Sequence, residues 1–215
     1  MSAADKVIGQ CRKPSGLFGR FILWGMNRSH SKLTDWGLAH VAIKNNDTIL
    51  DVGCGGGRTI SKLAEMASGG KVHGIDYSED SVTAAHRRNI RWIDIGRVSI
   101  REGTVSQLPF ADNTFDLVTA IETHLFWPDL PNDFREIFRV LRSGGRLLIV
   151  AEIYNGGKYL EGVRKAIFEK HLAANMNLLT PDEHRALFAN AGFSEVQIFE
   201  ELDKGWICAI GTKSA

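Results

Sequence analysis

The sequence predicts one α/β domain built on a mostly parallel sheet, and three features carry that expectation. Between Asp47 and Val150, apolar runs of strand length alternate with amphipathic runs of helical length, the mark of parallel strands joined by crossover helices. The first apolar run enters a glycine cluster, Gly53 to Gly57, where a strand turns into a helix. Toward the end of the chain, two more strand-like runs flank Asp203-Lys204-Gly205, which reads as a hairpin turn. The sheet is therefore expected to finish in an antiparallel pair.

The elements are justified in order. Thr48-Ile49-Leu50-Asp51-Val52 is the first strand. Ile60, Leu63, Ala64 and Ala67 then recur at helical spacing, and Gly69-Gly70 ends that helix. Lys71 to Asp76 is a strand, about Glu79 to Ile95 a helix, and Arg97 to Glu102 a strand. Phe115 to Ala120 is the fourth strand. The next helix, near Leu130 to Leu141, carries Phe134, Ile137, Phe138 and Leu141 on one face. Ser143-Gly144-Gly145 turns into a fifth strand, Arg146 to Ala151. Lys158 to Leu172 reads as a helix. Thr180-Pro181-Asp182-Glu183 has the pattern of a helix start: a Thr cap, Pro in the first turn and Glu three residues after the cap. Ser194 to Glu201 and Gly205 to Gly211 are the closing strands.

Residues 1–46 precede the sheet, with helices expected near Leu17–Met26 and Ser31–Val41 that hold Phe21, Trp24 and Trp36. We treat this stretch as an N-terminal helical cover segment and 47–215 as the domain proper. A cover over the site and plain packing on the sheet edge both stay open for it.

Bulk composition narrows the function classes. The 215 residues suit one domain with a sizeable core. Lys plus Arg, 26, nearly balances Asp plus Glu, 25, for a net charge of +1, so no charge excess asks for a nucleic-acid partner. Cys11, Cys54 and Cys208 are too few and too far apart for a disulfide framework or a zinc site, and no metal is expected. No apolar run approaches the ~20 residues of a membrane span, and the first residues lack a signal-peptide core. A cytoplasmic location follows as the default. A monomer and a homodimer are equally compatible with these numbers.

The chemistry concentrates at the strand ends. Asp51-Val52-Gly53-Cys54-Gly55-Gly56-Gly57 forms a turn whose glycines permit tight backbone geometry and close approach of a ligand. Asp76 ends the next strand, where a carboxylate can accept hydrogen bonds from both hydroxyls of an adenosine ribose. The dinucleotide pattern would need glycine where Arg58 stands. Asp51 would also repel a pyrophosphate while suiting the cationic end of an adenosyl amino acid. The phosphate-binding pattern of nucleoside triphosphatases is absent.

These segments resemble the class I S-adenosylmethionine (SAM)-dependent methyltransferases. Ile49-Leu50-Asp51-Val52-Gly53-Cys54-Gly55-Gly56-Gly57 resembles their first motif, and Gly74-Ile75-Asp76-Tyr77-Ser78 their acidic second motif. Leu108-Pro109-Phe110-Ala111-Asp112-Asn113-Thr114-Phe115-Asp116 and Arg139-Val140-Leu141-Arg142-Ser143-Gly144-Gly145 resemble stretches of the "type 11", ubiquinone/menaquinone-biosynthesis-like subgroup. The resemblance spans about Asp47 to Glu152. It implies a Rossmann-like three-layer sandwich with a seven-stranded sheet whose last strand is antiparallel. SAM would be the cofactor and S-adenosylhomocysteine the product. It further implies that Gly53 and Gly55 line the methionine part of SAM, Asp76 holds the ribose and Tyr77 packs on the adenine. Val105 would supply a backbone donor and an apolar wall, and Ile121 its carbonyl to the amino group. Thr104 stands where the family often has Asp, so its hydroxyl offers the adenine a bond without charge assistance.

The acceptor is expected beyond the fourth strand, at Ile121-Glu122-Thr123-His124-Leu125-Phe126-Trp127. Glu122 and His124 are the candidate bases, and either can equally be structural. Phe126 and Trp127 are pocket walls or core. His30, Asn27, Arg28 and Tyr154 are candidates for the rim. Size and charge favour a small-molecule acceptor. A methyltransferase acting on protein or RNA, and a noncatalytic SAM-binding regulator, are the alternatives; a nicotinamide-dependent oxidoreductase is a more distant one.

Overall fold

The computed structural model describes residues 31–158 and 176–214. The helices expected near Leu17–Met26 and over Lys158–Leu172 fall, apart from Lys158, outside them, as do Asn27, Arg28 and His30.

The described chain runs α1 (Ser31–Leu38), β1 (Thr48–Val52), α2 (Arg58–Met66), β2 (Lys71–Asp76), α3 (Glu79–Asp94), β3 (Val98–Glu102) and β4 (Phe115–Ile121). A single 3-10 turn, His124–Phe126, leads to α4 (Leu130–Val140) and β5 (Leu141–Ala151). Then come α5 (Pro181–Asn190), β6 (Phe193–Glu201) and β7 (Trp206–Lys213). The seven strands lie in the order β3-β2-β1-β4-β5-β7-β6. β1 pairs in parallel with β2 on one side and β4 on the other, so the strand order reverses between β1 and β4. β7 is antiparallel to both β5 and β6.

Alternation along the strands builds the three layers. Ile49, Val72, Leu117, Leu148 and Val150 face α1, α2 and α3, meeting Leu33, Ile60, Leu63 and Ala85. Leu50, Ile75, Val118, Ala120 and Ile149 face the other way, onto Phe134 and Ile137 of α4 and Phe188 of α5. Both clusters are almost wholly excluded from water, which is where the hydrophobic stabilisation of such a sandwich resides.

The caps read from the sequence are formed. The Thr180 hydroxyl accepts from Glu183 N (3.1 Å) and the Glu183 carboxylate accepts from Thr180 N (2.7 Å). Ser143-Gly144-Gly145 behaves differently from expectation. It is a bulge inside β5, between the Phe115↔Leu141 and Leu117↔Arg146 pairs. Gly144 has φ +74°, and a Cβ on Gly145 would lie 2.9 Å from the Phe115 carbonyl oxygen. The bulge lets the strand start at Leu141, before the glycines.

α1 lies on the sheet through Gly37, whose Cβ, were there one, would fall 2.4 Å from Val150 Cγ2. At its other end Ser31 Oγ accepts from an Arg58 guanidinium nitrogen (2.7 Å), at the start of α2. Residues 31–38 are thus packed on the sheet, and the chain enters them beside the glycine turn.

Candidate functional site

The site is built where β1, β2 and β4 end. β1 stops at Val52, and the amides of Gly53 and Cys54 both donate to the Ile75 carbonyl (2.8 and 2.9 Å). Gly53 and Gly57 have φ of +72° and +74°, a region that side chains avoid. The space is closed as well: a Cβ at Gly53 would meet Thr123 Cγ2 at 2.5 Å, and one at Gly57 would meet Ala85 Cβ at 2.8 Å. Asn89 of α3 fixes the end of the turn. Its amide nitrogen donates to the Gly57 carbonyl (2.9 Å), and its oxygen accepts from Ser61 Oγ (2.7 Å). Arg88 Nε donates to the Gly56 carbonyl (3.0 Å).

Asp76 ties the turn to the second strand. Its Oδ2 accepts from Gly55 N and its Oδ1 from Ser78 N, both at 2.9 Å. Each carboxylate oxygen has more than one acceptor direction, so both keep capacity for a further donor. Burial raises the Asp76 pKa, opposed by the bonds from Ser78, Gly55 and Ser81. Tyr77 follows at 36% exposure, and Ser78 caps α3.

Asp51 lies one strand over, fully buried. Its Oδ1 accepts from Thr119 Oγ1 (2.7 Å), the residue opposite it on β4. Burial pushes its pKa up to about 7, Thr119 opposing and the nearby charge of Asp76 adding to the rise. Neither Asp51 nor Asp76 forms an ion pair among the described residues. Two carboxylates without a cationic partner among the described residues, beside a glycine turn that a ligand can approach closely, suit a ligand carrying positive charge and vicinal hydroxyls. The sulfonium, amino group and ribose of SAM supply that combination. The residues present therefore fit the cofactor expected from the motifs.

β4 passes into a strained turn. Glu122 has φ +62°, rare for a side chain of its size. Its amide donates to the Val150 carbonyl (2.9 Å). Its carboxylate accepts a hydrogen bond from Glu152 N. Thr123 Oγ1 donates to the Val52 carbonyl (3.1 Å). The turn after β4 is thus sewn to the ends of both β1 and β5. Ile121 is half-buried there.

His124 sits deeper. It is 0% exposed, its ring edge-on to Trp127 and its Nε2 3.3 Å from Nε2 of His184 on α5. Burial, with His184 as the second cause, holds its pKa well below the usual imidazole value. Trp127 is core, packed on Phe134, while Phe126 is half-buried against Leu125, Tyr154 and Ile207. Tyr154 is a correction to the rim reading: it is 2% exposed and donates to Glu200 (2.6 Å). Asp129 caps α4, as its place before Pro131 suggests. Val105 is buried with Leu108, and Thr104 is exposed, bridging to Gln107. Cys54 is buried and its thiol pKa lies well above normal, first through desolvation.

The sequence reading did not single out Thr119, Asn89 or His184. Thr119 had a visible signal, a lone hydroxyl inside the apolar run of β4. Asn89 and His184 act across helix contacts that no sequence spacing records.

Comparison with known proteins agrees with this geometry. Residues 50–149 match the family model of a methyltransferase domain. The demethylmenaquinone methyltransferase of Lactiplantibacillus plantarum is 36% identical over 125 residues, covering 58% of this chain and 52% of that protein. The 27-O-demethylrifamycin SV methyltransferase of Amycolatopsis mediterranei is 33% identical over 141 residues, covering 59% and 52%. The chain spans about half the length of these curated relatives. Among solved structures, a Haloferax volcanii methyltransferase in complex with the Trm112 methyltransferase activator shares the fold. Its TM-score is 0.76 at 23% identity, covering 90% of this chain and 93% of that one. Residues 50–149 are thus similar to methyltransferase domains, and the demethylmenaquinone methyltransferases among the relatives are 33–37% identical to the chain over about half of their length.

Proposed function

We propose that the chain transfers a methyl group from SAM to a small-molecule acceptor by in-line displacement, with S-adenosylhomocysteine as the second product. The observation that carries this reading is the coupling of the glycine turn to Asp76 through Gly55 N, beside a second buried carboxylate, Asp51, that has no cationic partner among the described residues. The cofactor's chemistry is a methyl group already activated by positive sulfur.

The chain's own residues bind and align. Asp76 takes the ribose hydroxyls on the acceptor capacity left beside its two backbone donors. Asp51 favours the cationic end of the ligand, and Gly53 and Gly55 let the backbone approach it. Tyr77, Thr104 and Val105 border the adenine, and the Ile121 carbonyl faces the amino group. Glu122, held at an unusual backbone angle between β4 and β5, places a carboxylate in the turn that would meet the acceptor. Holding two reactants in line is itself a large part of the catalytic effect. The relatives named above, by their names, act on demethylmenaquinone and a demethylrifamycin, which supports a small organic acceptor here.

Calorimetric titration with SAM, S-adenosylhomocysteine and, as control, NAD tests the reading. Micromolar binding of both adenosyl ligands is the expected result. Binding of NAD alone would overturn it. A cationic ligand selects the ionised form of Asp51, so SAM affinity should fall as pH drops below about 7 and a proton should be released on binding. Titration in buffers of different ionisation enthalpy reads that proton.

A further inference from the structure

The loop after β3, Gly103 to Gln107, borders the adenine in the reading above and is held from two sides. At its root Gly103 N donates to the Asp76 carbonyl (3.0 Å), so the loop starts from the strand end that carries the ribose acid. Val105 packs into the core with Ile75 and Leu108. On the far side the loop is held by α4. Ser106 Oγ donates to Asp133 Oδ1 (2.7 Å), and Asn132 Nδ2 donates to the Ser106 carbonyl (3.2 Å). Two neighbouring residues of α4 thus fix both the side chain and the backbone of Ser106, the residue after Val105. Asp133 is 0% exposed. An acid in the first turn of a helix is favoured by the helix dipole without being buried, and Asp129 already caps α4 by accepting from Asn132 N (3.2 Å). Burying a carboxylate is costly unless donors surround it. Here the burial lets Oδ1 reach Ser106 while Oδ2 accepts from Asp129 N (3.2 Å), where the chain arrives from the turn after β4.

We propose, resting on the methyltransferase reading above, that Asp133 is a positioning residue for the adenine: by holding Ser106 it sets the Val105 backbone, and so gives the site its preference for an adenine-bearing ligand over the same ligand without the base. Thr104 is exposed and brings no charge to the base, which leaves the reading of the adenine to the loop backbone. A side chain can turn about its own bonds to recover a contact when its backbone shifts; a backbone amide cannot. Hydrogen bonds weaken steeply as distance and angle depart from their optimum, so recognition through Val105 depends on where Ser106 is held. Asp133 acts only through Ser106. Its partner on the other side, Asp129 N, anchors the carboxylate itself.

Calorimetry on the full chain with two ligands separates this role from a merely structural one. S-adenosylhomocysteine carries the base; S-ribosylhomocysteine is the same molecule with a hydroxyl in place of the adenine, and as the weaker ligand is measured by displacement. Ser106→Ala and Asp133→Ala should each weaken S-adenosylhomocysteine about tenfold, the scale of a lost hydrogen bond, and leave S-ribosylhomocysteine unchanged. The double variant should be no weaker than Asp133→Ala alone, because both residues act through one bond. Asp133→Asn should restore affinity, since its amide oxygen can accept from Asp129 N while its NH2 donates to Ser106 Oγ. Ser106→Ala leaves the α4 cap and the core in place, so it decides the matter even where Asp133→Ala fails to fold. Equal weakening of both ligands would show a structural role only, and no weakening of either would show that the loop keeps its place without the bond; both outcomes overturn the inference while the parent still binds S-adenosylhomocysteine. A parent that does not bind S-adenosylhomocysteine would instead overturn the methyltransferase reading, and this inference with it.

Discussion

Asp51 is the residue whose burial is hardest to reconcile with stability alone. It has one protein partner among the described residues, the Thr119 hydroxyl, and its pKa moves from an ordinary 3.8 to about 7. The folded ligand-free protein therefore holds this proton more tightly than the unfolded chain does. Stability from that proton is fully present below about pH 4 and is lost as pH rises through about 7, a cost on the order of 4 kcal/mol for the fully buried group. Asp51→Asn keeps an oxygen for Thr119 and removes the charge. Urea unfolding should show the variant more stable than the parent by about 2–3 kcal/mol at pH 8, with the difference shrinking toward pH 5, while SAM binding weakens. An equal difference at both pH values would mean that the charge is not the cause. Asp76→Ala should cost about 1.5–3 kcal/mol of SAM binding, the scale of bonds to a charged group; an unchanged affinity in calorimetry would remove the ribose assignment. Both acids were legible in the sequence because each ends a strand beside a glycine turn. The burial of His124 was not, because it depends on α5, which reaches the turn after β4 from sixty residues along the chain.

At the scale of elements, the glycine turn keeps its shape because α3 holds it. Asn89 is 0% exposed and joins the Gly57 carbonyl, the Ala85 carbonyl and Ser61 Oγ in one knot. Asn89→Ala should lower stability by about 2 kcal/mol, the loss of buried bonds with a small void, and denaturant titration reads it. SAM affinity should fall with it, since Gly57 closes the cradle. Strand and helix periodicity placed β1, β2, β4, α4 and the capped start of α5 within a residue or two, since each is amphipathic or bounded by caps. β5 was misjudged at its start. A run of Ser-Gly-Gly has the composition of a turn, and only pairing with β4 shows that the chain bulges through it and continues the ladder.

Across the whole molecule, Lys213 at the end of β7 connects the last strand to the opposite layer. Its Nζ donates to the carbonyls of Phe138 (2.8 Å) and Leu141 (2.7 Å) and to Asn113 Oδ1 (2.9 Å). It satisfies carbonyls at the C-terminal end of α4 that the helix itself leaves open. Lys213→Met keeps the stem and should cost about 1–2 kcal/mol in thermal or urea unfolding; an unperturbed midpoint would show that water serves those carbonyls equally well. The three layers were readable from alternation alone. The closing antiparallel pair was readable from its hairpin, but nothing local says that β7 enters between β5 and β6. That order has a consequence for synthesis on the ribosome. Of the seven strands β7 emerges last, yet it is the one that covers the outer edge of β5 and carries β6. Until its residues are free, the nascent sheet presents the open hydrogen-bonding edge of β5, a template for pairing with another chain. Exposure to misassembly is therefore greatest just before β7 emerges.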